Sequence, residues 1–300
     1  MKNVLIIYYT QSGQLGQIAR QLTKPFSNSS EINISFHQIQ PKKPYPFPWT
    51  NEAFFGVFPE SFLQIPTELE PVPEEIMGKK YDLVLLFYQV WYLTPSIPIN
   101  SFLKSPEARF IIDNTPVVTI NGSRNMWFMA QEKVKALLKA NNAQLKGNIA
   151  LVDRVGNLIS VVTIVEWMFS GIKKKYLGIF PLPGVSEKDI NESSKFGEVI
   201  LSSLNENTLD GLQEKLIAID AVRVSSYLIK VDKTANKIFS KWSNLLITKK
   251  DSRPTWTKAF KIYLLLAIWL ISPIVYILHV FTYPLNINKR KREKQYHLGV

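Results

Sequence analysis

Five short apolar runs punctuate the first half of the chain, at residues 3–9, 32–39, 83–87, 116–120 and 148–152. Patterns with helical spacing stand between them, at about 15–24, 99–105 and 126–141. Leu83 to Phe87 is a near-continuous apolar run, which suits a central parallel strand covered on both faces. Strands alternating with helices require right-handed crossovers and a parallel sheet. The expected fold class is therefore α/β, a doubly wound five-stranded parallel sheet, closed by a helix over 186–204. In the second run Ile32, Ile34 and Phe36 alternate with Asn33, Ser35 and His37, which places His37 on the solvated side of its strand.

Ligands of such sheets sit beyond the carboxyl ends of the strands, at the topological switch point. Three loops occupy those positions: 10–15, 88–98 and 121–127. The first is a polar, Gly-containing turn between an apolar strand and a helix with Leu15, Ile18, Ala19 and Leu22 on one face. Backbone N–H groups and the helix dipole converge there to favour an anion. Hydroxyls of Thr10 and Ser12 add donors, and Gly13 lets the backbone come close. Neither G-x-G-x-x-G nor a Gly-Lys-Ser/Thr loop is present. The pattern T-x-S-G-x resembles the flavodoxin phosphate loop, with Leu15 where that pattern has a threonine. The resemblance implies FMN, its phosphate at Thr10, Gln11, Ser12, Gly13, Gln14 and Leu15. The ring system then falls between Gln89, Val90, Trp91, Tyr92 and Leu93 on one side and Asn121, Gly122, Arg124 and Asn125 on the other. Trp91 and Tyr92 can stack on a flavin face. The amides of Asn121 or Asn125 and the backbone near Gly122 can bind its pyrimidine edge. Arg124 can stabilise negative charge on a reduced flavin. The sequence identifies no catalytic base; Tyr9, Tyr92 and Arg124 are neighbours by inference.

The chain has no cysteine, which excludes disulfides, thiolate zinc sites and a cysteine nucleophile. Its three histidines, His37, His279 and His297, have no metal-binding spacing, and no metal is expected. Two stretches interrupt the α/β pattern. Residues 41–75 hold eight prolines, which forbid long helices or central strands, yet Tyr45, Phe47, Trp49, Phe54, Phe55, Phe58 and Phe62 make them aromatic. That composition predicts an ordered flap, either a structural cover or a wall of an apolar substrate pocket. Residues 155–185 carry a strongly apolar run, Leu158 to Phe169, ahead of Lys173, Lys174 and Lys175. This is either a core helix or one lying in a membrane interface, too short to span helically.

Charge is uneven. Residues 1–205 hold 20 Lys and Arg against 17 Asp and Glu, a net +3; residues 206–300 hold 16 against 7, a net +9. The excess flanks Ile262 to Leu285, 24 residues without formal charge. As a helix that is about 36 Å, enough for a hydrocarbon core of about 30 Å. Cations on both flanks leave loop bias undecided, and Ser272-Pro273 near the middle permits a re-entrant bend as well as a single pass. A membrane partner follows, and no nucleic acid, because no basic stripe is interleaved with aromatics. No secretory signal peptide is read at the N-terminus. The expected organisation is 1–205 as an FMN-binding domain with insertions at 41–75 and 155–185, 206–250 as a helical connector, 259–285 as a hydrophobic membrane segment and 286–300 as a basic tail.

Four long stretches, PFPWTNEAFFGVFPESFLQIP (46–66), YQVWYLTPSIPINSFLKS (88–105), GSRNMWFMAQEKVK (122–135) and YLGIFPLPGVSEKDI (176–190), resemble the bacterial dialkylresorcinol condensing enzyme family of flexirubin and aryl-polyene pigment clusters. The resemblance runs nearly end to end. It implies a flavodoxin-like fold and a part in making 2,5-dialkylresorcinols from two acyl chains. Condensing acyl thioesters normally needs a cysteine nucleophile, absent here. The fitting step is the oxidation of a dialkyl cyclohexanedione to the aromatic ring, after a separate ketosynthase working with an acyl carrier protein. The expectation is an FMN-dependent oxidoreductase (aromatase) acting on a lipid-like small molecule at the cytoplasmic face of the bacterial inner membrane. The alternatives are an NAD(P)H:quinone reductase-like flavoprotein and a membrane-tethered flavodoxin electron carrier.

Overall fold

The computed structural model describes residues 1–300. Five strands form one sheet: β1 (Lys2–Tyr8), β2 (Ile32–Gln38), β3 (Leu83–Tyr88), β4 (Pro116–Ser123) and β5 (Gln144–Val152). Their order is β2-β1-β3-β4-β5 and every pair is parallel. That is the doubly wound flavodoxin-like order, with its switch point between β1 and β3. The alternation of side chains along β1 and β3 divides the core in two. Val4, Ile6, Leu83, Leu85 and Phe87 face helices α1 (Gln14–Leu22), α5 (Ser194–Asn205) and α6 (Leu212–Ala218). Leu5, Ile7, Val84, Leu86 and Tyr88 face α2 (Ile97–Leu103), a short helix at Pro106–Ile112 and α3 (Phe128–Ala140). Every residue of β3 is buried, as its apolar run requires. Leu212 and Leu216 are fully buried in the first layer, so the sheet's core continues past residue 205.

Two local readings need correction, and one of the two forms open to the apolar segment is ruled out. His37 is 8% exposed and lies 6.0 Å from the Phe102 ring, whereas Phe36 is 42% exposed. β2 is an edge strand; α2 brings Phe102 over one side of its end, while cover on the Phe36 side fades beyond Ile34. Burial pulls the His37 imidazole below its ordinary value. β4 runs on through Asn121, Gly122 and Ser123, which pair with Ala150, Leu151 and Val152 of β5, so those residues are strand and not loop. The apolar segment does not bend into a hairpin. Its backbone is helical from Arg253 to Phe281, through α8 (Arg253–Leu266), a π turn (Ala267–Ile271) and α9 (Ser272–Phe281). The wider turn sits where the Pro273 ring would crowd the carbonyl four residues back.

Helix α4 (Asn157–Ser170) lies beside the flap, and α7 (Ser226–Thr248) packs between the flap and α8. Phe58 of the flap stacks on Phe260 of α8 at 3.8 Å, with Phe239 of α7 edge-on to both. Only 6% of the apolar stretch of the long helix is buried. The chain then returns. In α10 (Ile287–Leu298) His297 is buried against Phe128, Tyr296 donates its hydroxyl to Glu132 (2.7 Å), and Gln213 donates to the Leu298 carbonyl (2.6 Å). Both ends of the exposed apolar helix are therefore fastened to the same sheet domain.

Candidate functional site

At the carboxyl edge of the sheet a cavity of about 250 Å³ opens beside the switch point. Its floor is the turn after β1. Gly13, at φ 86, is the N-cap of α1 and brings no side chain to cap the first-turn amides, which therefore stay available to a ligand. Thr10 Oγ1 is buried beside them without a hydrogen-bond partner. Two loop amides are committed to structure. Gln11 donates to the Pro46 carbonyl (2.8 Å), and Gln14 both donates to and accepts from the Val185 backbone (3.0 Å each). These bonds fasten both insertions to the loop. Leu15 explains its own departure from the flavodoxin pattern: its Cδ1 would lie 2.8 Å from a Cβ at Gly122, so it fills the space that this glycine leaves.

The second loop is a hairpin. Val90–Trp91 pairs with Thr94–Pro95, and Tyr92 and Leu93 form its two-residue turn at φ 49 and 63. That left-handed conformation favours Asn-Gly and is strained for Tyr-Leu, by about 1–3 kcal/mol each. The surroundings hold it: Tyr92 donates its hydroxyl to the Phe54 carbonyl (2.7 Å), and its ring packs against Phe54, Phe58 and Phe239. Trp91 sits edge-on among Tyr9, Tyr45 and Trp49. Burial, with Tyr45 adjacent, pushes the Tyr9 hydroxyl far above its ordinary value, so Tyr9 holds its proton. Gln89 Nε2 is buried without a partner.

Beyond β4, Arg124 donates to Asn157 Oδ1 (3.1 Å) and to the Asn157 carbonyl (3.4 Å). Burial lowers its guanidinium to about 10, which leaves it charged near neutrality. It forms no ion pair, and it is the one formally charged residue lining the cavity.

Of the residues expected at the site, Gln11, Ser12, Gln14, Leu15, Gln89, Val90, Trp91, Tyr92, Gly122 and Arg124 line this cavity. Thr10, Gly13, Leu93, Asn121 and Asn125 do not. Asn121 is engaged in the sheet, where its Oδ1 accepts from Ser123 (2.9 Å). Asn125 Oδ1 is buried and unpartnered, but the residue lines a separate cavity beside Arg154. Ile164, Trp167, Met168 and Gly184 from the second insertion also line the first cavity, without any site signal in their sequence. The two insertions meet over the site: Trp49 donates its backbone N–H to the Met168 carbonyl (2.8 Å), and Phe47 packs edge-on to Trp167. No local signal in either stretch announces that meeting.

The residues fit a flavin mononucleotide. Uncapped helix amides and an orphaned hydroxyl suit a phosphate, an orphaned amide suits a polar ring edge, and a charged guanidinium suits an electron-rich ring.

No protein-family model matches the chain. No curated protein matches it. Among solved structures it is similar to a flavoprotein in complex with FMN from Lactobacillus acidophilus NCFM: 17% identity over 50% of this chain and 93% of that one, TM-score 0.38. A flavodoxin from the domain Archaea is 9% identical over 68% of this chain and 99% of its own, TM-score 0.39. Oxidised Flavodoxin 2 from Bacillus cereus is 13% identical over 69% and 99%, TM-score 0.36. At such scores these likenesses carry no argument; the strand order alone defines the fold.

Proposed function

We propose that the chain is an FMN-dependent oxidoreductase of dialkylresorcinol formation, aromatising a dialkyl cyclohexanedione at a membrane surface. One observation carries the reading: an uncapped strand–helix anion loop and a single unpaired arginine face one cavity whose remaining walls are largely aromatic and apolar. Flavin, when bound there, supplies the acceptor for a hydride. The ring loses that hydride and one proton and becomes a resorcinol. A 1,3-dione is acidic, and its enolate needs a cation more than it needs a base; Arg124 supplies the cation. The flap and α4 wall the cavity with apolar side chains, and Tyr9 contributes no base because burial keeps it protonated. The resemblance of the sequence supplies the substrate class. The missing cysteine leaves condensation to a ketosynthase with its acyl carrier protein.

The same reading puts the protein on the cytoplasmic face of the inner membrane. A single pass would carry Lys289, Arg290, Lys291 and Arg292 to the far side of the bilayer from the sheet. The contacts of α10 with Glu132, Phe128 and Gln213 support instead a helix lying in the interface, with both cationic ends on one side.

The test uses the purified full-length protein. Its visible spectrum is recorded, then a dialkyl cyclohexane-1,3-dione is added without oxygen. The reading expects the flavin to bleach as resorcinol appears. Bleaching by NAD(P)H alone would make the protein a reductase. Bleaching by neither would leave an electron carrier.

A further inference from the structure

A second cavity of about 240 Å³ adjoins the first. Val90, Tyr92 and Arg124 line both and so form the partition between them. Past that partition the character changes. Val161 of α4, Ala235 and Ile238 of α7, Leu264 of α8, and Ala267 and Ile268 of the π turn wall the space. Apart from tyrosines, its polar lining is Arg124 and Asn157, which hydrogen-bond each other, and Ser272. Apolar cavities of roughly 150 Å³ already take up benzene, and this one is larger.

The helix that closes it has two faces. Leu264, Ala267 and Ile268 face the cavity, whereas Leu265, Leu266, Trp269 and Leu270 are exposed. One helix, about 10 Å across, separates the cavity from the most apolar surface of the molecule. The cavity thus joins a buried guanidinium that makes no ion pair at one end to aliphatic walls along the rest.

We propose that this second cavity is a chain-binding subsite for an anionic amphiphile. The ionised ring of a 1,3-dione rests at Arg124, and one alkyl substituent extends between α7 and the π turn. The assignment rests on the proposed function only in the identity of the head group. It makes the C-terminal helices part of the substrate site and not merely a connector and an anchor.

The test compares 2-ethyl- and 2-hexylcyclohexane-1,3-dione binding to the full chain by calorimetry, with FMN uptake titrated on the same samples. Burying a methylene is worth about fourfold in affinity, so four of them, even partly buried, predict a hexyl preference of at least about tenfold. Ala235→Phe and Ala267→Phe fill the cavity from different segments, and each is expected to bring the hexyl-to-ethyl ratio near one. A wild-type ratio near one overturns the proposal without any variant. A preference that survives in a variant with a wild-type cooperative melt overturns it too. FMN uptake reports separately on the flavin: if it fails while the hexyl preference holds, the chain subsite stands and the cofactor reading falls. If uptake is normal and the preference is absent, the reverse holds.

Discussion

The two cavities that share Tyr92 and Arg124 are built by opposite means. The first takes its floor from one continuous stretch, residues 10–15, where a strand end, a glycine and a helix start lie side by side by covalent connection. The second is assembled from residues 90–93, 124–126, 157–161, 231–239 and 263–272, which only tertiary packing brings together. The polar lining is local in sequence, because backbone amides can converge only where the chain turns. The apolar lining is distributed, because any aliphatic side chain will serve as wall.

The comparison predicts that the two regions can be damaged separately. The largest effect is expected at Phe260, fully buried and stacked on Phe58. Phe260→Ala should remove about 3–5 kcal/mol from the packing of the C-terminal helices. Hydrogen exchange should show 253–281 opening while β1, β3 and FMN uptake are preserved. Loss of FMN uptake in the same variant would break the separation.

The joint between the regions comes next. Asp232 of α7 accepts a hydrogen bond from the Met129 N–H in the first turn of α3 (3.2 Å), and its other oxygen is buried without a partner. Burial raises this carboxyl from 3.8 to about 7. Below about pH 4 it is protonated folded or unfolded. Between there and about 7 only the folded state keeps the proton, so its contribution to stability declines as pH rises through that window and then levels. Asp232→Asn should therefore gain on the wild type between pH 4 and 7.5, by up to about 4 kcal/mol, read as a widening difference in Tm. A constant difference would remove Asp232 as the pH-sensitive link between the regions.

The smallest effect sharpens the first cavity. A Cβ on Gly13 would meet nothing within 4 Å, so Gly13→Ala adds only left-handed backbone strain. Stability should fall by about 1–2 kcal/mol, and FMN affinity should fall with it. The hexyl preference of the second cavity should not move.

That division also explains what the sequence disclosed. The alternation of apolar runs and helical patterns was enough for the sheet, and Leu83 to Phe87 for its centre, because burial on both faces leaves a run without polar interruptions. The polar turn after β1 was legible because the strand end, Gly13 and the helix start are contiguous in the chain. His37 was not, because cover over an edge strand depends on where Phe102 arrives from sixty-five residues later in the chain. The Tyr92-Leu93 turn was hidden because neither residue favours a left-handed conformation and only the packing of Phe54, Phe58 and Phe239 holds it. The hydrophobic segment was evident, but its return through α10 was not: a basic tail gives no sign that His297 and Leu298 dock on the sheet domain.

The central claim is a mononucleotide phosphate held by the turn after β1. Titrating the full-length protein with FMN and with riboflavin, and following quenching of the flavin fluorescence, tests it most directly. The account predicts one FMN per chain, bound at least about a hundredfold more tightly than riboflavin, with the difference reduced in Gly13→Ala. Equal affinities for the two flavins, or no quenching by either, would contradict it.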